Sequence, residues 1–109
     1  MTENSTRRAV IVAYRPKPGM HEQLQSLVVR HIELLRAEGF ASAKPAYAMC
    51  ATDGTIVEVF EWLSQDAIDR AHASPEVQAL WAEFSLACDY VPVGSLAEAS
   101  RPFSEFRSL

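Results

Sequence analysis

Residues 8 to 14, RAVIVAY, are rich in strand-forming side chains and predict a first strand, which the PKPG stretch from Pro16 to Gly19 then turns. Beyond it the period of the apolar positions changes. Leu24, Leu27, Val28, His31, Leu34 and Leu35 recur at helical spacing on one face, predicting an amphipathic helix over about residues 20–38 that Gly39 stops. Two further runs, 45–52 (PAYAMCAT) and 55–63 (TIVEVFEWL), read as strands joined across Asp53-Gly54, a strong type I′ hairpin signal. Ser64 is placed to N-cap a short helix through Ala73, with Asp66 in its positively polarised first turn. Ser74-Pro75-Glu76 opens another helix, through about Asp89, with the stripe Val77, Leu80, Trp81, Phe84 and Cys88. A last strand over 90–96 (YVPVGSL) contains Pro92, which cannot donate to a ladder and marks it as an edge strand.

The predicted order is β-α-β-β-α-α-β, an α+β domain of the ferredoxin-like, split βαβ kind over residues 9–96, preceded by a lead-in of residues 1–8. The segment 97–109 is mostly polar but carries Phe103, Phe106 and Leu109, and is expected to pack on the domain or on a partner subunit. Right-handed crossovers place all the helices on one face of a four-stranded antiparallel sheet. The third strand is nevertheless apolar on both sides: Ile56, Phe60 and Trp62 share a face with Glu58, while Val57 and Val59 share the other with Glu61. The helix-free face therefore needs cover, and the economical cover is the same face of a second copy in a two-fold homodimer.

Composition narrows the function. A chain of 109 residues, 49% apolar, makes one domain with a real core, and a net charge of −4 with its ten basic residues scattered argues against nucleic acid. TRRAVIVAY superficially resembles a twin-arginine export signal, but the apolar run from Ala9 to Tyr14 is too short for that or for a membrane span, so a cytoplasmic location is expected. Cys50 and Cys88 are too far apart for a CxxC site and read as small buried hydrophobes in a reducing compartment. His21, read as solvent-facing, His31 and His72 share no metal-ligand spacing. With four glycines the chain has no phosphate-binding loop, and it has no nucleophile elbow, so neither metal nor cofactor is expected.

The candidate chemistry lies in VEVFEWLSQDAIDRAH, residues 57–72. Glu58 falls roughly 13 Å behind Trp62 on one sheet face, and a helix doubling back over the strand returns His72 by roughly 12 Å, to the level of Glu58. The three are thus expected to border one cavity between sheet and helices. A carboxylate among Val57, Val59 and Phe60 is costly to bury unless it is paired or used. For the ligand chemistry that the family resemblance given next implies, Glu58 or His72 is the candidate base, Trp62 and Phe60 are candidate walls, and Tyr14 or Tyr47 are candidate hydrogen-bond donors. His31, inside the first helix's stripe, is expected to be a hydrogen-bonded core residue and is also a candidate ligand contact.

The run GTIVEVFEWLSQDAIDRAHASPEVQALW, with the KPG turn and the PF.EF tail, resembles the antibiotic-biosynthesis-monooxygenase-like domain of the dimeric α/β-barrel superfamily, over roughly residues 9–107. The resemblance implies a ferredoxin-like fold, a homodimer and a small-molecule ligand. It also implies a cofactor-independent monooxygenase acting on an aromatic or enolisable substrate as one activity, and a non-catalytic ligand-binding or structural dimer as the alternative. Trp62 matches the strand-end tryptophan that lines the substrate cavity in oxygenase members, and Glu58 stands where some of them have asparagine. His72 has a spacing from Trp62 like that of the iron-ligating histidine of the haem-degrading branch. That branch also uses an asparagine on the first strand, and RAVIVAYRP has none, which makes haem binding the weaker expectation.

Overall fold

The computed structural model describes residues 6–109. Its elements run β1 (Arg8–Pro16), α1 (His21–Ala37), β2 (Tyr47–Cys50), β3 (Ile56–Trp62), α2 (Gln65–Ala73), α3 (Pro75–Ala87), β4 (Cys88–Val91) and β5 (Arg107–Ser108), with short 3₁₀ turns at Val93–Ser95 and Ala97–Ser100. The strands form one antiparallel sheet in the order β4-β1-β3-β2-β5. Three helices and an antiparallel sheet are the expected α+β ferredoxin-like fold. The fifth strand is an addition: Arg107 and Ser108 pair with Cys50 and Met49 at the free edge of β2.

Local sequence explains where the elements begin and end. Helix α1 stops in a Schellman motif, in which Phe40 N–H reaches Leu35 O at 2.8 Å and Gly39 N–H reaches Arg36 O at 3.0 Å. Gly39 takes φ +77°, a conformation costly for any residue with a Cβ. Ser64 Oγ accepts from Ala67 N–H at 3.0 Å to cap α2. Ser74 closes α2 through its own N–H and opens α3 by accepting from Val77 N–H at 3.3 Å, so one residue makes the corner between two helices.

Two local expectations need correction. The Asp53-Gly54 turn is not type I′, which requires positive φ at both residues: only Gly54 has it, at +94°. Gly54 N–H bonds Ala51 O at 3.0 Å and Ala51 N–H bonds Thr55 O at 2.8 Å, giving a three-residue loop, and Asp53 Oδ1 accepts from Thr55 N–H at 2.8 Å. The last long strand occupies 88–91 instead of 90–96. Pro92 lies at the edge of the sheet as expected, but with no N–H it ends the strand, and the chain turns at Val93.

The core lies between the helices and one sheet face. Tyr14, Leu24, Leu27, Val28, Ile56, Leu80 and Phe84 form one cluster, and Leu35, Phe40, Phe60, Trp62 and Val77 form the next. Burying a Leu, Ile or Phe of this kind contributes about 1.5–3 kcal/mol. The helix-free face is partly covered from within the chain: Val57, Ala13 and Ala51 pack under Leu96, with Val93, Ala99 and Phe106 against them. Glu98 ties this cover to the sheet, its Oε2 accepting from Thr52 N–H at 2.8 Å. The cover does not reach Ile11 and Tyr47, which flank Val59 in register and remain 54% and 57% exposed.

Candidate functional site

A cavity of about 370 Å³ opens between the sheet and the helices. Strand β1 supplies Val10, Val12 and Tyr14, β3 supplies Phe60 and Trp62, α1 supplies His31, and α2 and α3 supply Ile68, His72, Trp81 and Phe84. The registers explain the convergence. Val10 pairs with Phe60 and Val12 with Glu58, so these side chains share the face on which the helices sit. The lining is overwhelmingly apolar and aromatic, and its polar groups are few.

Those groups are organised. Glu58 is 1% exposed, and its Oε1 accepts two hydrogen bonds, from Tyr14 Oη at 2.7 Å and from His31 Nδ1 at 3.0 Å. The other ring nitrogen, His31 Nε2, lies 3.0 Å from Trp81 Nε1. An indole N–H can only donate, so Nε2 must be the acceptor and Nδ1 must carry the ring hydrogen, which it donates to Glu58. The result is a continuous chain from Trp81 through His31 to Glu58, with Tyr14 joining at the same oxygen. Glu58 Oε2 is buried and has no hydrogen-bond partner among the described residues. Burial, reinforced by the Glu58 charge, pushes the Tyr14 hydroxyl far above the usual tyrosine range, so this phenol keeps its proton. The His31 ring is held edge-on by Phe60 and Phe84, with centroids 5.6 and 5.3 Å away.

Trp62, Phe60, Tyr14, His31 and His72 border this one cavity. Glu58 does not line it and sits behind Tyr14 and His31. The strand and helix distances do return His72 over the sheet, but its ring stops against Trp81, centroids 5.0 Å apart, with Nδ1 donating to Ile68 O at 2.9 Å. The expectation that Glu58, Trp62 and His72 would all border the cavity is therefore corrected: His31 and Tyr14 take the near positions because their rings fill the space over the carboxylate. Tyr47 also departs from expectation. Its partner in register is Val59, so it projects from the opposite face, where its hydroxyl lies 3.1 Å from Ser108 Oγ.

Trp81, which as a stripe residue reads like core, is half-buried and makes both a wall and a hydrogen bond of the site. A signal for it existed, since an indole N–H buried among apolar residues needs an acceptor. His21 also differs from its reading as solvent-facing, being half-buried 3.8 Å from Cys50 Sγ. Both cysteines are free thiols, and burial pushes the Cys88 thiol up to about 11. Among the described residues no group of His, Cys, Asp and Glu could hold a metal ion, and no helix is long and apolar enough to cross a membrane.

No protein-family model matches the chain, and comparison with curated proteins gives no match. Solved structures do match. SnoaB, a cofactor-independent oxygenase from Streptomyces nogalater, has a TM-score of 0.68 at 14% identity, over 79% of this chain and 87% of its own. Rv0793 from Mycobacterium tuberculosis has a TM-score of 0.65 at 22% identity, over 79% of this chain and 89% of its own. At these identities the likeness shows the fold alone: the chain shares the α+β ferredoxin-like fold of these two proteins.

Proposed function

We propose that the chain is a homodimeric small-molecule-binding protein of the cytoplasm that takes an aromatic or enolisable ligand into the sheet–helix cavity and oxidises it with O2 without a cofactor. The observation that carries this reading is the cavity itself, about 370 Å³ with apolar walls and one buried polar cluster, Tyr14, His31 and Glu58, at its inner side. The fold shared with SnoaB, a cofactor-independent oxygenase, supports the reaction class by analogy.

Such chemistry asks little of a protein. Removing a proton from an enolisable ketone or a phenol gives an electron-rich anion that donates electrons to O2 directly. When a CH2 becomes C=O, one oxygen atom enters the product and the other leaves as water, so no external reductant is required. The site must supply a proton acceptor, a polar anchor and a dry pocket. Glu58 behind Tyr14, and His72 on the cavity wall, are the acceptors available. The dimer would form through the helix-free face, where Ile11, Val59 and Tyr47 make an apolar row that the C-terminal segment leaves open.

The test uses anthrone, an apolar enolisable ketone. Purified protein incubated with anthrone in air should consume one O2 per anthraquinone formed, faster than buffer. Saturable anthrone binding with no acceleration of O2 uptake would instead support the non-catalytic ligand-binding reading.

A further inference from the structure

The polar cluster beneath the cavity is more specific than ligand binding requires. A pocket that only sequesters an apolar molecule gains nothing from burying a carboxylate, whose loss of hydration is costly even when it is paired. The geometry of the cluster has a direction. Tyr14 lines the cavity and points its hydroxyl hydrogen at Glu58 Oε1, 2.7 Å away, so the lone pairs of its oxygen are left to accept a hydrogen bond from a ligand. The second oxygen of the same carboxylate, Glu58 Oε2, is buried and has no hydrogen-bond partner among the described residues, so the carboxylate has acceptor capacity to spare. Trp81 closes the other end of the chain by fixing the His31 hydrogen on Nδ1, where it holds Glu58 in place.

We propose that the site recognises ligands bearing an acidic hydroxyl, a phenol or an enol, and that Tyr14 relays the ligand proton to Glu58, with His31 and Trp81 as positioning residues. In the relay the ligand O–H bond breaks as a new O–H forms on Tyr14. The original Tyr14 O–H breaks at the same time and its proton passes to Glu58. Tyr14 ends as it began, the carboxylate becomes a carboxylic acid, and the ligand is left as the anion. A relay suits Tyr14 better than service as a standing base, because burial and the neighbouring carboxylate keep its phenol protonated. The inference rests on the ligand-binding reading above and names the ligand class of that same cavity.

The experiment compares p-nitrophenol, whose absorbance distinguishes phenol from phenolate, with nitrobenzene, which has no proton to give. Binding is read from the fluorescence of Trp62 and Trp81, the two tryptophans of the chain, both of which line the cavity. The unmodified protein should bind both probes. It should also hold p-nitrophenol as phenolate at a pH where the free probe is mostly phenol. In Glu58→Gln and Tyr14→Phe the bound phenolate fraction should fall about tenfold, by more than any change in nitrobenzene binding, and an unchanged far-ultraviolet circular dichroism spectrum shows that the fold survives. Nitrogen NMR of the His31 ring should find the hydrogen on Nδ1, and Trp81→Phe should release that preference and lower the phenolate fraction. Failure of both probes to bind would overturn the cavity reading, and the relay with it. Equal binding with an unchanged phenolate fraction in Glu58→Gln and Tyr14→Phe would overturn the relay alone. A hydrogen on His31 Nε2 in the unmodified protein would overturn the positioning role of Trp81.

Discussion

Replacing Glu58 by leucine tests whether the buried cluster exists for stability. The substitution leaves two buried donors without an acceptor, the Tyr14 hydroxyl and the His31 Nδ1–H, in residues that are 2% and 4% exposed. An orphaned buried donor costs about 1–3 kcal/mol, so the pair should cost roughly 2–6 kcal/mol, partly offset by relief from burying the carboxylate. Taking about 3 kcal/mol as the net after that offset, and a urea dependence of about 1.5 kcal/mol per molar, the midpoint should fall by about 2 M. Adding Tyr14→Phe and His31→Leu removes the orphaned donors and fills the same space with apolar groups. Only the Trp81 N–H loses its partner, and it borders the cavity, where water can reach it. The triple variant should therefore recover to within about 1–2 kcal/mol of the parent. Urea unfolding followed by far-ultraviolet circular dichroism, with unchanged slopes, measures all three proteins. The reasoning is refuted if Glu58→Leu alone is as stable as the parent, or if the triple variant is no better than the single one.

Three further outcomes are expected. Ile11→Asp, which puts a charge into the uncovered row of the helix-free face, should give a monomer by light scattering where the parent is a dimer, and a monomeric parent would remove the case for that interface. Ser74→Ala removes the acceptor for Val77 N–H at the corner between α2 and α3, and should lower stability by about 1 kcal/mol in a thermal melt. The Cys88 thiol is raised from 9.0 to about 11 by burial, so it holds its proton more tightly folded than unfolded. Its contribution is whole below pH 9.0 and is lost as pH rises from 9.0 through about 11, with Tyr14 acting in the same direction. Cys88→Ala should accordingly show a shallower loss of melting temperature with rising pH in that window.

What the sequence shows and what it hides divide along the range of the interactions. Strands and helices were legible because each is set by local period and punctuation: the stripe from Leu24 to Leu35 defines α1, and Ser64 and Ser74 mark the two helix starts. The face of Glu58 and Trp62 was legible too, because alternation along β3 fixes it. The partners of Glu58 were not. His31 is 27 positions away and Tyr14 is 44, and nothing in the spacing says that their rings would lie between the carboxylate and the cavity. Tyr47 was placed in the wrong layer because the register of β2 against β3 depends on a hairpin loop longer than Asp53-Gly54 suggested. The apolar residues of the C-terminal segment announced that it would pack, but not that Phe106 and Leu96 would lie over Val57, because the segment has no period to fix its register.

The central claim is that the space between sheet and helices is a ligand cavity, and a fluorescence titration with anthrone under argon tests it most directly. Both tryptophans border that space, so a molecule entering it must change their emission. The measurement is made on the parent and on Val12→Phe, which pushes an aromatic ring into the cavity from β1. A saturable change at one anthrone per chain, abolished in a folded Val12→Phe variant, is the predicted result. No saturable change in the parent, or an identical titration in the filled variant, would contradict it.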